Sequence, residues 1–251
     1  MEVIGIKTPV IKEGDNLPEI IIESIQKNNE LKDGDVLVVA SSVISTSKGY
    51  TQDLSEVKAT DLAKELGKES GLEEKFVEVV IQEADKVLGT GENCILTLNN
   101  GILRMNSGVD SSNAPKNQVL LMPKDSDAEA RELLDEIKSI TGKEIGIIIS
   151  DSHIQPLRLG TIGLAVGTAG IDAVMDCRGK KDIYENSLSM TFRAIADQLA
   201  SASQLIMGET NKQNPVVLIR GAQVNFVDNG KNPKVPLSRD IYANLLKIDS
   251  A

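Results

Sequence analysis

Aromatic residues are scarce: 251 residues include no tryptophan, three phenylalanines and three tyrosines. Proteins that bind single-stranded nucleic acid stack bases on aromatic side chains, so this scarcity argues against that function. The formal net charge of −10, from 27 Lys and Arg against 37 Asp and Glu, would also repel a phosphate backbone or an anionic membrane. We therefore expect no nucleic-acid partner and no membrane partner.

Cysteine, histidine and long apolar runs are scarce as well. Cys94 and Cys177 are too few for a disulfide framework and favour a reducing, cytoplasmic setting. No apolar run reaches the roughly 18 residues of a membrane-spanning helix, and residues 1–10 lack the basic and apolar regions of a signal peptide. With a single histidine and no cysteine pair at ligand spacing, a zinc site is disfavoured.

Apolar residues at intervals of three and four predict several helices, each burying one face. The predicted stripes are Leu17 to Ile25, Ala59 to Leu66 ending at Gly67, Leu72 to Val80, Leu133 to Ile140 between Asp125 and Gly142, and Leu188 to Ile206.

Short runs rich in β-branched residues predict strands at 36–39, 94–98, 119–121, 145–149 and 216–219. The runs at 36–39, 145–149 and 216–219 are continuously apolar, so we expect both of their faces to be covered. Because helices and strands do not alternate regularly, the sequence predicts an α+β fold with mixed sheets and packed helices. A candidate subdomain boundary lies near 123–124.

Three acidic residues stand at the predicted ends of elements or in polar turns. Asp151 follows a buried apolar strand, Asp110 lies in the turn 106–113, and Glu209 follows Gly208 after the longest stripe. Taken one at a time, each is as well explained by an ordinary turn or helix end. Together, three carboxylates suit Mg²⁺ or Mn²⁺, which prefer hard oxygen ligands.

Other segments favour structural interpretations. The glycines between 160 and 170 match neither common phosphate-binding pattern, so close packing within strands is the safer interpretation. Cys177 is more simply a packed thiol than a nucleophile, and His153 a surface or supporting residue than a ligand. Arg178 lies in a charged turn and either faces solvent or binds an anion through both guanidinium nitrogens.

In order and spacing, these segments resemble the coenzyme F420-0:L-glutamate ligases (γ-glutamyl ligases), from about Pro9 to Gly221. No single motif is specific for this family, but the order of the motifs along the chain is specific. The motifs lie at 33–39 (DGDVLVV), 42–45 (SVIS), 108–113 (GVDSSN), 149–152 (ISDS), 165–167 (AVG), 176–179 (DCRG) and 207–209 (MGE).

The resemblance implies a ligase-like α+β fold over 1–251 and an intertwined homodimer. It also implies the reaction. GTP phosphorylates the lactyl carboxylate of a deazaflavin precursor, and the amine of L-glutamate attacks the resulting acyl phosphate to form an amide. Divalent Mg²⁺ or Mn²⁺ at two sites would assist phosphoryl transfer, with K⁺ as a further candidate.

The resemblance assigns roles to individual residues. The implied metal ligands are Asp110, Asp151, Ser152 and Glu209. The implied nucleotide-binding residues are Pro9, Val10, Ser41 and Ser42 (a turn), Asn113, Met207, Gly208 and Thr210. The implied catalytic residues are Asp151, Arg158 and Lys48.

The sequence departs from the family pattern at several positively charged or flexible positions. Thr46 stands where the family has Lys, 154–155 (IQ) and 185–186 (EN) stand where it has Gly-Arg, and 210–214 replaces a glycine-rich loop. Lys48, Arg158 and Arg178 are candidates to replace the missing charge. Two alternatives stay open: a non-catalytic paralogue that binds nucleotide or deazaflavin, and a ligase with another substrate.

Overall fold

The structure is a computed structural model and describes residues 1–245. The chain divides into two compact units, the first made of residues 1–47 and 125–233 and the second of residues 48–124 with the chain from residue 234. In neither unit is any described helix long and apolar enough to cross a membrane.

The elements follow one another in a mixed order. The strands are β1 (Glu2–Ile6), β2 (Val36–Ala40), β3 (Thr51–Asp53), β4 (Lys86–Gly91), β5 (Cys94–Asn99), β6 (Ile102–Met105), β7 (Gln118–Leu120), β8 (Gly146–Ile154), β9 (Thr161–Ala169), β10 (Val174–Asp176), β11 (Phe192–Ala194) and β12 (Val216–Arg220). The helices are α1 (Leu17–Gln26), α2 (Ser41–Lys48), α3 (Asp61–Ser70), α4 (Glu74–Glu83), α5 (Ser126–Thr141), α6 (Ile195–Met207) and α7 (Ile241–Leu245).

The first unit is built on a five-stranded sheet in the order β1-β12-β2-β8-β9. Strands β2 and β8 are parallel, with Val38 opposite Ile148, and the neighbouring pairs are antiparallel. The three inner strands contain the three continuously apolar runs, and the residues of these runs are buried on both faces. The mixed sheet and the α+β class are confirmed.

Helices cover both faces of this sheet. Val36 and Val38 of β2 share a core with Ile195 and Leu199 of α6. Successive strand residues face opposite ways, so the equally buried Leu37 faces the other side, where α1 and α5 supply apolar faces. The sheet is therefore the middle layer of the first unit, with helices on both faces. A ligand can reach the ends of its strands but not its faces.

The glycines of β9 allow helices to approach the sheet closely. A Cβ on Gly163 would lie 2.4 Å from the carbonyl oxygen of Ala200 in α6. A Cβ on Gly167 would lie 2.1 Å from the carbonyl oxygen of Ser126 in α5. Neither separation is tolerable for a real side chain, so the close-packing interpretation is confirmed for Gly163 and Gly167 but not for Gly160, where a Cβ would have nothing within 4 Å.

The second unit has its own core. Antiparallel β4, β5 and β6 form one sheet, β3 pairs with β7, and α3 and α4 supply buried residues such as Ala63 and Val80. Helix α3 begins at Thr60, whose hydroxyl and backbone N–H both donate to the carboxylate of Glu78 in α4 at 2.6 and 2.8 Å. These bonds lower the pKa of Glu78 and tie the two helices together.

Two predicted helix boundaries are wrong. Helix α3 continues through Gly67 to Ser70 and is capped by Gly71, because Gly67 lies where α3 passes close to the backbone of Leu72 and so serves packing rather than termination. Helix α6 begins at Ile195, because Phe192 pairs with Asp176 in the β10–β11 ladder. Helices α1 and α5 match their stripes, and Asp125 and Gly142 cap α5 as expected. Helix α4 contains its stripe except for Leu72, which precedes the helix.

Two further expectations are corrected at strand ends. Strand β8 continues past Asp151 to Ile154, because it forms a hairpin with β9. Ser41 and Ser42 open helix α2 rather than a turn. This helix was missed because its serine-rich sequence carries no apolar stripe.

Candidate active site

The first cluster of predicted site residues lies where the parallel strands β2 and β8 end side by side. Ala40 is opposite Ser150, and the next residues are Ser41 and Asp151. The buried Ser41 hydroxyl donates to Oδ1 of the half-buried Asp151 at 2.9 Å. The carboxyl ends of adjacent parallel strands are a common place for ligand binding.

Ser152 lies on the opposite face of β8 from Asp151, since successive side chains alternate along a strand. Its hydroxyl is 3.0 and 3.1 Å from the two carboxylate oxygens of Glu209. Glu209 is placed there by Gly208, which ends α6 with a φ of +68°, a conformation that favours glycine. The structure therefore brings together two predicted pairs, Ser41 with Asp151 and Ser152 with Glu209.

Two residues that the sequence did not predict complete the surroundings of Glu209. The Thr161 hydroxyl donates to Glu209 Oε1 at 2.7 Å. The Gln204 amide donates to Ser152 Oγ at 3.0 Å and also to Glu209 Oε1. All three partners of Glu209 are neutral, so the oxygens of this cluster and the charge of Glu209 fit a hard cation.

The predicted nucleotide-binding residues of the first unit lie in several loops and helix ends. Pro9 and Val10 are exposed in the loop between β1 and α1, and Thr210 is exposed beyond Glu209. Met207 is the last residue of α6, and its side chain is buried in the core between α6 and the five-stranded sheet. Ser42 lies in the first turn of α2, where its carbonyl accepts the Thr46 hydroxyl at 2.8 Å.

Lys212 lies three residues beyond Glu209. The Lys212 side chain lies over Gly208. If Gly208 had a Cβ, that atom would be 3.2 Å from Lys212 Nζ. A positive charge is therefore held next to the residue that precedes Glu209.

The second unit holds the remaining predicted residues. Asp110 pairs with Leu120 in an isolated β-bridge, and its Oδ1 accepts the backbone N–H of Ser112 at 2.7 Å. It follows a tight turn ending in Gly108, which has a φ of +75°; a Cβ on this glycine would lie 2.4 Å from Met122. Asn113 is exposed with a φ of +55°, and Lys48 is exposed as the last residue of α2.

The predicted positive charges differ in how they are engaged. Arg178 forms bonds of 2.7 to 3.0 Å with the carboxylate of Asp176, and its guanidinium lies 4.6 Å from the ring centroid of Phe192. The hydrogen bonds from Arg178 lower the pKa of Asp176. Arg158 is exposed in the loop between β8 and β9. The Arg178 guanidinium thus already binds a carboxylate of its own chain.

The comparison with protein families decides what kind of protein carries these clusters. The model of the family described as F420-0:Gamma-glutamyl ligase matches residues 5–221. This chain belongs to the F420-0:gamma-glutamyl ligase family. The match spans both units and includes Asp110, Asp151 and Glu209.

Curated relatives of this ligase family extend over most of the chain. The coenzyme F420:L-glutamate ligase of Methanocaldococcus jannaschii is 39% identical over 249 residues, which is 97% of each chain. The protein of the same name from Methanopyrus kandleri is 38% identical over 212 residues, covering 84% of this chain and 82% of the relative. The protein of the same name from Methanothermobacter thermautotrophicus is 33% identical over 248 residues, which cover 96% of this chain and 98% of the relative.

The ligase family chemistry must be supported by the side chains that are present. Among residues 1–245, no three His, Cys, Asp or Glu side chains are grouped closely enough to hold a metal ion. In the first unit, the clustered side-chain oxygens belong to both carboxylate and hydroxyl groups: Asp151 with Ser41, and Glu209 with Ser152 and Thr161. Such a set suits Mg²⁺ or Mn²⁺ better than zinc.

Proposed function

We propose that this chain is a GTP- and divalent-metal-dependent ligase that joins L-glutamate to the lactyl carboxylate of the deazaflavin precursor coenzyme F420-0. The observation that carries the proposal is the Glu209 carboxylate, held against Ser152 by neutral partners at the end of α6. Family membership over residues 5–221 and the names of the relatives support the choice of substrates.

The proposed reaction has two steps. A carboxylate oxygen of the precursor attacks the γ-phosphorus of GTP, GDP leaves, and an acyl phosphate forms. The amine of glutamate then attacks the acyl carbon, inorganic phosphate leaves, and the nitrogen loses a proton to give the amide. Both steps develop negative charge on phosphate oxygens, so they need positive charge or oriented donors nearby.

We assign the metal ligands as the family pattern implies. Asp151, Ser152 and Glu209 would hold Mg²⁺ or Mn²⁺ in the first unit, Asp110 would be a ligand in the second, and two ions with K⁺ as an additional ion are proposed. When bound, the divalent ions would neutralise phosphate charge. Ser41 would orient Asp151 through the 2.9 Å hydrogen bond described above.

The nucleotide contacts are also part of the proposal. The segments around Pro9 and Val10, Ser41 and Ser42, and Met207 to Thr210 would contact GTP in the first unit, and Asn113 in the second. Arg158 and Lys48 would stabilise the transferring phosphoryl group. Their exposure leaves both side chains accessible to a ligand.

The direct test is a glutamate transfer assay with coenzyme F420-0, glutamate, Mn²⁺ and either GTP or ATP. We expect product with GTP and loss of at least about 100-fold in kcat for Asp151→Asn, because removing a metal-binding carboxylate removes transition-state stabilisation. Asp228→Asn, an exposed carboxylate of the same unit, is the control and should retain activity. No product with either nucleotide from folded protein would eliminate the ligase proposal.

A second candidate is a non-catalytic paralogue that binds nucleotide or deazaflavin. It is favoured by the Thr46 hydroxyl, which bonds within its own helix where the family has a lysine, and by Arg178, which is occupied by Asp176. A thermal-shift titration with GTP and Mn²⁺ separates the candidates when combined with the transfer assay. Stabilisation by about 2.7 kcal/mol at 100 times the Kd, without turnover, would favour the paralogue.

We further propose that the protein is a homodimer located in the cytoplasm. Several large apolar side chains of the first unit are nearly or fully exposed, notably Leu157, Leu159 and Ile183. Burial of such side chains against a second copy would remove them from water. The free thiols of Cys94 and Cys177 fit a reducing compartment.

A further inference from the structure

Gln204 and Thr161 belong to none of the motifs that identify the family, yet both contact Glu209. Gln204 lies in the last turn of α6, and Thr161 is the first residue of β9. Thr161 donates to Glu209 Oε1 at 2.7 Å, and Gln204 donates to both Ser152 and Glu209. These contacts join three elements around one carboxylate.

The direction of each proton in this cluster is fixed by chemistry. The amide nitrogen of Gln204 can only donate, so its two hydrogens go to Ser152 Oγ and to Glu209. The Ser152 hydroxyl, having accepted one bond, donates its single proton to the Glu209 carboxylate. Glu209 therefore accepts from three neutral donors, and these contacts restrict an exposed side chain that would otherwise sample several rotamers.

The close approach of α6 and β9 sets the positions of these donors. The backbone of Ala200 lies against Gly163, and the Ser201 hydroxyl donates to the carbonyl of Gly163 at 2.8 Å. Gln204 lies one helical turn beyond Ala200, and Thr161 lies two residues before Gly163. A rigid contact between helix and strand thus carries both side chains to Glu209.

We propose that Gln204 and Thr161 are positioning residues that hold the oxygens of Glu209 and Ser152 ready for a divalent cation. The inference rests on the proposed function, in which Glu209 and Ser152 are metal ligands. Residues that hydrogen-bond to metal ligands commonly change metal affinity 10- to 100-fold when they are replaced. Preordering of the two ligands lowers the entropy lost when the ion binds.

The test is a titration of the metal-free full-length protein with Mn²⁺ alone, followed by electron paramagnetic resonance of free Mn²⁺. We expect Gln204→Met and Thr161→Val to raise the Kd by about tenfold or more. The melting temperature without metal should change by less than about 2 °C, because the replaced groups are partly or fully exposed. Thr161→Ser should restore most of the affinity, and Gln26→Met, at an exposed helix end, is the matched control.

Two different failures can be told apart with Glu209→Gln. If Glu209→Gln weakens Mn²⁺ binding while Gln204→Met and Thr161→Val stay within about twofold of wild type, the positioning role is overturned and the proposed function stands. If Glu209→Gln binds Mn²⁺ as tightly as wild type, Glu209 is not a ligand; that part of the proposed function fails, and the inference fails with it.

Discussion

At the scale of single residues, two arginines of the first unit differ in how their charge is engaged. A phosphoryl-transfer site needs cations that are not already neutralised. Arg178 is bound to Asp176 through two guanidinium nitrogens, whereas Arg158 is exposed in the loop between β8 and β9. The two arginines should therefore contribute very differently to catalysis, which agrees with the prediction of Arg158, but not Arg178, as a catalytic residue.

We expect Arg158→Met to lower kcat/KM for GTP by about 10- to 100-fold, the effect of losing a charged hydrogen bond to phosphate. Arg178→Met should lower it less than about fivefold, since an exposed ion pair contributes little. Steady-state kinetics with varied GTP would measure both. A loss in Arg178→Met as large as that expected for Arg158→Met would show that Arg178 leaves Asp176 to bind the substrate, and a loss below fivefold in Arg158→Met would contradict its role.

The sequence predicts residues of the candidate site but not the hydrogen-bond partners of those residues. Asp151, Ser152 and Glu209 were assigned from motif order, and Ser152 and Glu209 do meet across 57 positions. Thr161 and Gln204 could not be assigned, because a threonine at a strand start and a glutamine on a helix are ordinary surface residues in sequence. Only the folded contact between α6 and β9 gives them a role.

At the scale of elements, the glycines of β9 control how helices sit on the sheet. We expect Gly167→Ala to lower the free energy of unfolding by about 1–3 kcal/mol, because the alanine Cβ would overlap the backbone of Ser126. Urea denaturation would measure the change. Gly89→Ala is the control, since a Cβ there has nothing within 4 Å. A stability change no larger than that of the control would contradict the close-packing role.

Elements were predictable where one physical signal dominated. The continuously apolar runs correctly predicted the three inner strands of the first sheet, and Asp125 and Gly142 correctly bounded α5. Helix α2 was missed because tertiary packing of Ile44 and Ser45, rather than an apolar stripe, holds it in place. Phe192 was placed in a helix because periodicity cannot detect that Asp176 pairs with it.

At the scale of the whole molecule, the exposed apolar residues of the first unit bear on assembly. Leu157 and Leu159 are both fully exposed in the loop between β8 and β9. Leu157 also has a φ of +57°, a conformation that costs a leucine about 1–2 kcal/mol. A partner that buries these side chains would offset both the exposure and the strain.

We expect the wild-type protein to sediment as a dimer and Leu159→Asp to sediment as a monomer, because a buried unpaired charge disfavours association. Analytical ultracentrifugation at micromolar concentration would measure the mass. Leu62→Asp, at a half-exposed position of α3, is the control and should stay dimeric. A wild-type monomer would contradict the dimer proposal, and a dimeric Leu159→Asp would exclude this loop from the interface.

The order of strands in the first sheet also governs how the chain can acquire its structure. Strand β2 is among the first made during synthesis, but its neighbours β8 and β12 follow much later; Ser41 and Asp151, at the adjoining ends of β2 and β8, are 110 positions apart. Loop closure over such distances slows folding, and an apolar strand with two open edges can pair with other chains. A nascent chain should therefore need protection from aggregation until β12 has left the ribosome.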